Sequence, residues 1–387
     1  MTTLRSEGAI SRAELARRTG LSRSTVSIVV SDLVREGLVR EAAEAQTAGT
    51  GGRPATPLSL DPAAGSVLAI DLAPGNLTMA LFDLGHRELA KVTRALDTDV
   101  ASHDTIVAAV TDLFKTVLKK SPVARSDVIG AAMAIPAPIE AATRRIGRES
   151  GIASIVGATL EGAVADALGL PVHVENDANL SALAELHWGA AVGHRDAVYV
   201  ELSRGIGAGL IIGGRLHRGS RGTAGEIGHV PVPPDGAICR CGNRGCLELV
   251  AGTGAITALV ADRFDETPTI QDVIATAEAG DPMCRRALRD VGSRLGYVLG
   301  ELCNVLNPTA IVIGGELAAA WSIMKPAVHE AIDRSAIHPA IVDLHLEPSQ
   351  LGPRGRLLGG LALVLQDSTR FPLARPAGTT AAARARR

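Results

Sequence analysis

The sequence predicts an α/β protein with a separate helical module at its N-terminus. Three observations predict it. From residue 67 onward, short β-branched apolar runs alternate with amphipathic stretches, the pattern of an α/β chain. Residues 1–40 have no such alternation and read as short amphipathic helices. Residues 41–66, rich in Gly, Pro, Ala and Thr, read as a loop and a linker between the two.

The 387 residues are enough for two or three domains. Aromatic residues make up only 2%, so Ala, Val, Leu, Ile and Gly must build the core. Net charge is −2, which excludes a chain that is basic throughout; nucleic-acid contact needs a local patch. No apolar run approaches the roughly 20 residues that span a bilayer. No apolar signal segment follows Arg5 and Glu7. A cytoplasmic location with no membrane partner is the expectation, and disulfides are rare there.

In the N-terminal module, Ser11 caps the first clear helix, with Glu14 three residues on as a capping box, and Gly20 closes it. Ser22 caps the second, with Val26, Val29, Val30, Leu33 and Val34 on an apolar face, and Gly37 ends it. The first helix of a winged domain belongs before Ile10, where this sequence has nine residues; a short helix is one reading and a truncated or misassigned start the other. Helix, short turn and helix form a helix-turn-helix pattern. Ser22, Arg23, Ser24, Thr25 and Ser27 at the start of the second helix suit phosphates and base edges. Residues 11–40 hold six Arg against three acids. Arg53 in the Gly51-Gly52-Arg53-Pro54 loop suits a wing tip. A helical hairpin for protein docking is the alternative reading.

In the body, SVLAIDLAPGNLTMALFDL reads as a strand pair and VIGAAMAIP as a strand, followed by a helix near 158–168. PVHVEND ends a strand at Asn176 and Asp177, where open α/β sheets bind ligands; the same residues also suit a cap on the helix 178–188. AVYVELS and GAGLIIGG follow as strands, the second glycine-rich. His229, Cys239, Cys241 and Cys246 have the spacing His-x9-Cys-x-Cys-x4-Cys. One imidazole and three thiolates match a closed tetrahedral structural zinc site in a loop spanning 229–246. A Cys239–Cys241 disulfide closes a very small strained ring. A redox switch is the other alternative, since Arg240 and Arg244 beside the thiols fit it too. Cys284 and Cys303 sit in helical context and read as buried apolar residues. A long helix around 283–306, the strand AIVIGG and a helix 322–334 complete the body. The end, from Arg370, holds five Arg and no acid, and reads as a basic tail.

Together these motifs resemble the ROK family, the group of repressors, open reading frames and sugar kinases. SRAELARRTGLSRSTVS, LVREGLV and GGRPA look like the winged helix-turn-helix of its repressors. ENDAN, GIGAG, GEIGH and CRCGNRGCLE follow in the family's order and spacing. The resemblance implies a winged helix-turn-helix at 1–60, a linker at 61–66, a two-lobed actin-like, hexokinase-type domain at 67–367, and a tail at 368–387. It also implies a sugar or sugar phosphate held by Asn176, Asp177, Glu226, His229 and Glu248, with His229 serving both the sugar and the zinc. Carboxylates, an amide and an imidazole suit hydroxyls that both donate and accept.

The departures concern phosphoryl transfer. The family's kinases carry an Asp-x-Gly-Gly-Thr turn for ATP phosphates; here it reads Asp71-Leu72-Ala73-Pro74-Gly75. Ser203 and Arg204 replace the Gly-Thr that opens the second phosphate loop, and Pro136-Ala137-Pro138 replaces Pro-Gly-Pro. Asp177 matches the kinase base, but phosphoryl transfer depends on positioning the phosphates. The expectation is a non-catalytic, sugar-responsive regulator, a repressor acting on operator DNA as a homodimer or dimer of dimers. An active sugar kinase with a DNA-binding extension is the alternative.

Overall fold

In this computed structural model, which describes residues 3–4, 9–41, 56–98, 100–232, 235–367 and 369–371, the N-terminal helices form where the caps predict. α1 (Arg12–Thr19) starts on Ser11, whose Oγ accepts the Glu14 N–H at 3.2 Å, and stops at left-handed Gly20. Only half of the capping box forms: the Glu14 carboxylate turns forward to Arg17 and Arg18, 2.7 Å from each Nε. α2 (Arg23–Arg35) starts on Ser22, whose Oγ accepts from Thr25 N at 3.1 Å. Its apolar face is narrower than expected. Val26 and Val30 are buried and Leu33 packs on them, but Val29 and Val34 are exposed. The i, i+4, i+7 stripe faces the small core, and Val29 and Val34 lie off it.

β1 (Ile10–Ser11), β2 (Val39–Glu41) and β3 (Pro57–Leu60) make a small antiparallel sheet in the order β1-β3-β2. β3 lies in the stretch expected to be loop and linker. Leu58 and Leu60 alternate inward from it, a period-2 signal hidden by the Pro and Ser around them. The wing-tip Arg53 and residues 372–387 of the tail lie outside the described residues. The expected linker takes up a 3-10 turn (Pro62–Ala64) capped by Asp61.

The body is one topology used twice. β4 (Ser66–Ala73), β5 (Asn76–Asp83), β6 (Glu88–Ala95), β7 (Val128–Ile135) and β8 (Val172–Asn176) form a sheet in the order β6-β5-β4-β7-β8. β9 (Ala197–Leu202), β10 (Ile206–Ile212), β11 (Arg215–His217), β12 (Ala310–Gly314) and β13 (His345–Pro348) repeat it as β11-β10-β9-β12-β13. In each sheet the first three strands are antiparallel and the last two run parallel to the first. This duplicated α/β lobe is the actin-like, hexokinase-type architecture.

α3 (His103–Lys119) and α4 (Leu160–Leu168) cover one face of the first sheet. α6 (Glu248–Ala251), α7 (Thr253–Leu259), α8 (Ile270–Glu278), α9 (Pro282–Leu306), α10 (Trp321–Ser335) and α11 (His338–Ile341) belong to the second lobe. α5 (Asp177–Trp188) and α12 (Arg354–Gln366) pack together in the core that joins the lobes. The predicted helices fall within two residues of their observed bounds. No described helix is long and apolar enough to cross a membrane.

Small residues let α5 and α12 approach so closely. A Cβ built at Gly359 of α12 would lie 1.8 Å from the Leu180 carbonyl oxygen of α5. That neighbour is backbone and has little freedom to yield. Gly359→Ala is expected to destabilise the fold by about 3 kcal/mol. Denaturant unfolding of variant and parent measures it.

Candidate functional site

The ends of both sheets open on a cavity of about 860 Å³. Asn176, Asp177, Glu226, His229 and Glu248, the five residues singled out for a sugar, all line it. ENDAN bridges β8 and α5. Its Glu175 is buried and accepts from Arg218 Nε (2.6 Å), Asn179 Nδ2 (3.0 Å) and Asn176 N (2.9 Å). Burial pushes that carboxyl up, but His173, Arg218 and Asn179 together hold it at about 2. Glu175 is therefore a strut that ties the strand-helix junction to the loop after Arg218, which carries Glu226 and His229.

Asn176 caps α5: its Oδ1 accepts from Asn179 N at 3.1 Å and its Nδ2 donates to Ala137 O at 3.2 Å. The capping reading thus holds, and of the five residues Asn176 has both ends of its side chain already engaged. Asp177 has one oxygen on Ala178 N at 2.9 Å. Its Oδ2 stands 3.9 Å from Arg356 Nε, too far for a hydrogen bond. Burial, then the neighbouring Glu201 and Asp71, push Asp177 up to about 7 against the pull of Arg356. Burial, then Glu149, Asp177 and Glu248, push Glu226 to about 7 as well. Glu248, at the start of α6, pairs with Arg240 at 3.0 Å and accepts from Ile206 N at 3.3 Å.

Gly225 is a position only glycine fits. Its φ is +96°, and a Cβ would lie 1.9 Å from Ala208 O. Its carbonyl accepts from Ala208 N at 2.7 Å, so the Glu226–His229 loop rests directly on β10.

The ligating atoms of His229, Cys239, Cys241 and Cys246 all lie within 4.8 Å of one another. Cys239 Sγ is 3.6 Å from His229 Nδ1, and the Cys241 and Cys246 sulfurs are 3.6 Å apart. These are the edge lengths of a tetrahedron around an ion bonded at about 2.3 Å to sulfur. None of the five cysteines is bonded to another. With Nδ1 facing the thiols, His229 Nε2 faces the cavity, 3.8 Å from Glu226. The donor set fits a structural zinc ion, which would tie the loop ends together.

The turn at Ala73-Pro74-Gly75 joins β4 to β5, with Gly75 at φ +84°. Pro74 has no N–H. The Gly75 N–H is taken by Thr98 Oγ1 at 3.1 Å. Two successive backbone positions therefore have no amide to offer a phosphate. Ser203 Oγ donates to Glu201 at 2.6 Å, and Arg204 is exposed at the cavity edge.

The ROK family profile matches residues 67–367. The chain belongs to the ROK family. A MarR family profile matches residues 1–48 of this ROK protein. The xylose repressor of Caldicellulosiruptor bescii is 28% identical, covering 94% of this chain and 93% of that one. A ROK family transcriptional regulator homologous to the Escherichia coli MLC protein superposes with a TM-score of 0.80 at 28% identity, over 96% of this chain and 95% of that one. A ROK glucokinase from Streptomyces griseus, in complex with glucose and AMPPNP, superposes with a TM-score of 0.68 at 25% identity, over 77% of this chain and 99% of that one.

Ser22, Arg23, Ser24, Thr25 and Ser27 are all exposed along the first turns of α2, away from the buried Val26–Val30 stripe. Sequence reasoning missed Arg356 and Glu201, which stand beside Asp177 in the cavity. The available signal was a lone charge in the otherwise apolar run GRLLGGLALVL.

Proposed function

We propose that this chain is a sugar-responsive, DNA-binding transcriptional repressor whose cavity binds a sugar without phosphorylating it. The turn at Ala73-Pro74-Gly75 carries the non-kinase part of the reading: one amide is missing and the next is already bonded to Thr98. The cavity still presents acceptors and an imidazole matched to hydroxyls, in Asp177, Glu226, His229 and Glu248. Residues 1–60 act as the DNA-binding head, 61–66 as its connection, 67–367 as the sensor, and 368–387 as a basic tail, with zinc as a structural ion. The relatives' naming as repressors supports operator DNA as the partner. A sugar that closes the cavity alters the spacing of two heads in a homodimer or dimer of dimers, which a two-fold operator reads.

Two measurements test this. ATP turnover with a panel of hexoses is expected to stay at background; robust turnover refutes the non-kinase claim. Retention of the Asp177 carboxylate favours that second reading, an ATP-dependent sugar kinase with a DNA-binding extension. A gel shift with the chain's own promoter-region DNA is expected to respond to one sugar or sugar phosphate. No shift under any condition supports a docking module instead. Arg23→Ala is expected to weaken operator binding about tenfold or more with no change in melting temperature, because Arg23 is exposed. Fluorescence anisotropy against salt concentration measures both the loss and the change in salt slope.

A further inference from the structure

The α12 residue Arg356 reaches into the cavity against three acids from three separate elements. Its Nη2 donates to Glu201 Oε1 of β9 at 2.7 Å. Its Nη1 lies 3.6 Å from Asp71 Oδ2 of β4, and its Nε lies 3.9 Å from Asp177 Oδ2 of α5. All three acids are buried. Glu201 is further held by Tyr199 Oη at 2.7 Å and Ser203 Oγ at 2.6 Å. Asp71 Oδ1 is buried and has no hydrogen-bond partner among the described residues, although Asp71 lines the cavity. Three carboxylates converging in a buried place repel one another unless a cation stands among them. Oxygen donors in such a set are what a hard divalent cation takes.

We propose that Arg356 is the built-in cation of this cavity: its guanidinium balances Asp71, Asp177 and Glu201 where a divalent metal ion would otherwise bind. The proposal rests on the reading of the cavity as a polyol site without phosphoryl transfer. It adds the device that excludes a metal–nucleotide while leaving the sugar acceptor free. The distances distinguish the two roles. Only Glu201 is close enough to be hydrogen-bonded by Arg356. Asp177 is balanced at 3.9 Å without its Oδ2 being used up, so that oxygen keeps an acceptor site for a hydroxyl. Arg356 is a positioning residue in this scheme. A guanidinium is permanently charged and does not exchange with solvent ions, so the site stays closed to metal at any magnesium concentration.

The test is Mn²⁺ binding to the full chain with its cysteine loop saturated with zinc, followed by the electron paramagnetic resonance of free Mn²⁺. Wild type and Arg356→Lys, which keeps a charge, are expected to take up no Mn²⁺ in the cavity. Arg356→Met and Arg356→Gln are expected to gain one site, at least about tenfold tighter than any residual binding. Adding Asp71→Asn to either neutral variant is expected to abolish that gain. If the neutral variants fold and bind Mn²⁺ no better than wild type, the proposal is overturned. If they fold only when Mn²⁺ is supplied, it is upheld; if Mn²⁺ does not recover them, it is overturned. A sugar screen on the wild type separates the underlying reading: a protein that binds no sugar refutes the polyol site, while the Mn²⁺ contrast still decides the role of Arg356.

Discussion

Asp177→Asn is expected to raise the melting temperature at pH 8 and to weaken the sugar response of the same protein. The two effects have one cause. Asp177 is buried beside Asp71 and Glu201, and its carboxyl is pushed from 3.8 up to about 7 despite Arg356. A folded chain that holds its proton more tightly than the unfolded chain is stabilised by that group at low pH. The stability is present below about pH 4, where both states are protonated, and is lost as pH rises towards 7. At about 1.4 kcal/mol per pH unit the ceiling is about 4 kcal/mol, reduced by relaxation around the charge. An amide removes the effect, so the variant gains about 1–2 kcal/mol over the parent at pH 8, and little at pH 4. Asp71, pushed up as well, and Glu201, held low, lose a neighbouring negative charge in the variant, which adds to the gain at pH 8, while Glu175 is common to both proteins. The amide oxygen is a weaker acceptor than a carboxylate, and the sugar affinity falls about tenfold or more. Thermal unfolding at pH 4, 6 and 8 checks the first part. A melting-temperature difference that does not change with pH refutes it.

This trade between stability and binding runs through the whole cavity. Glu226 is also pushed to about 7, and Asp71 keeps a buried oxygen with no partner among the described residues. Acids packed together in this way cost folding free energy, and they persist where a ligand uses them. Glu175 is the contrast. It is equally buried, but three donors satisfy it and it holds the junction rigid.

What was legible in the sequence was local. Ser11 and Ser22 cap their helices because the bonded amide lies three residues away. The cysteine cluster is legible because its ligands span eighteen positions, His229 to Cys246, with glycines between them. The alternation of strands and helices marks an α/β body, and the resemblance to the ROK family implies its two lobes and the residues that share a cavity. What was not legible depends on contacts distant in the chain. Arg356 meets Asp71, Asp177 and Glu201 across more than 150 positions, and its own stretch reads as an apolar helix. Thr98 closes the Pro74-Gly75 turn from 23 positions away. Val29 and Val34 share the composition of the apolar face, but the core they flank is too small to cover them. β3 was lost in a stretch whose Pro and Ser mimic a linker.

Removing the metal, or replacing Cys246 with Ser, is expected to cost the sugar response more than the fold. Among the described residues, the loop from His229 to Cys246 has few backbone bonds of its own. Val232 N donates to Gly245 O, Gly245 N to Ala237 O, Gly242 N to Cys239 O, Cys239 N to Asn243 O and Leu247 N to Val230 O. A zinc ion held by the four side-chain donors would cross-link the loop beyond these bonds and the packing of Val230 and Val232 on the second lobe's core. Both of its ends carry cavity groups. His229 presents Nε2 beside Glu226, and Glu248 follows Cys246 by two residues, bonded to Ile206 N. Loosening the loop therefore moves two of the proposed sugar contacts at once, while Ile227 and Leu247 remain anchored in the second lobe's core. The affinity for the sugar is expected to fall about 10- to 100-fold. The melting temperature falls by several degrees, and DNA binding without sugar survives. Metal analysis is expected to find one zinc per chain in the parent and none in the chelated protein. A metal-free protein that still binds its sugar with undiminished affinity refutes the coupling between the cysteine loop and the cavity.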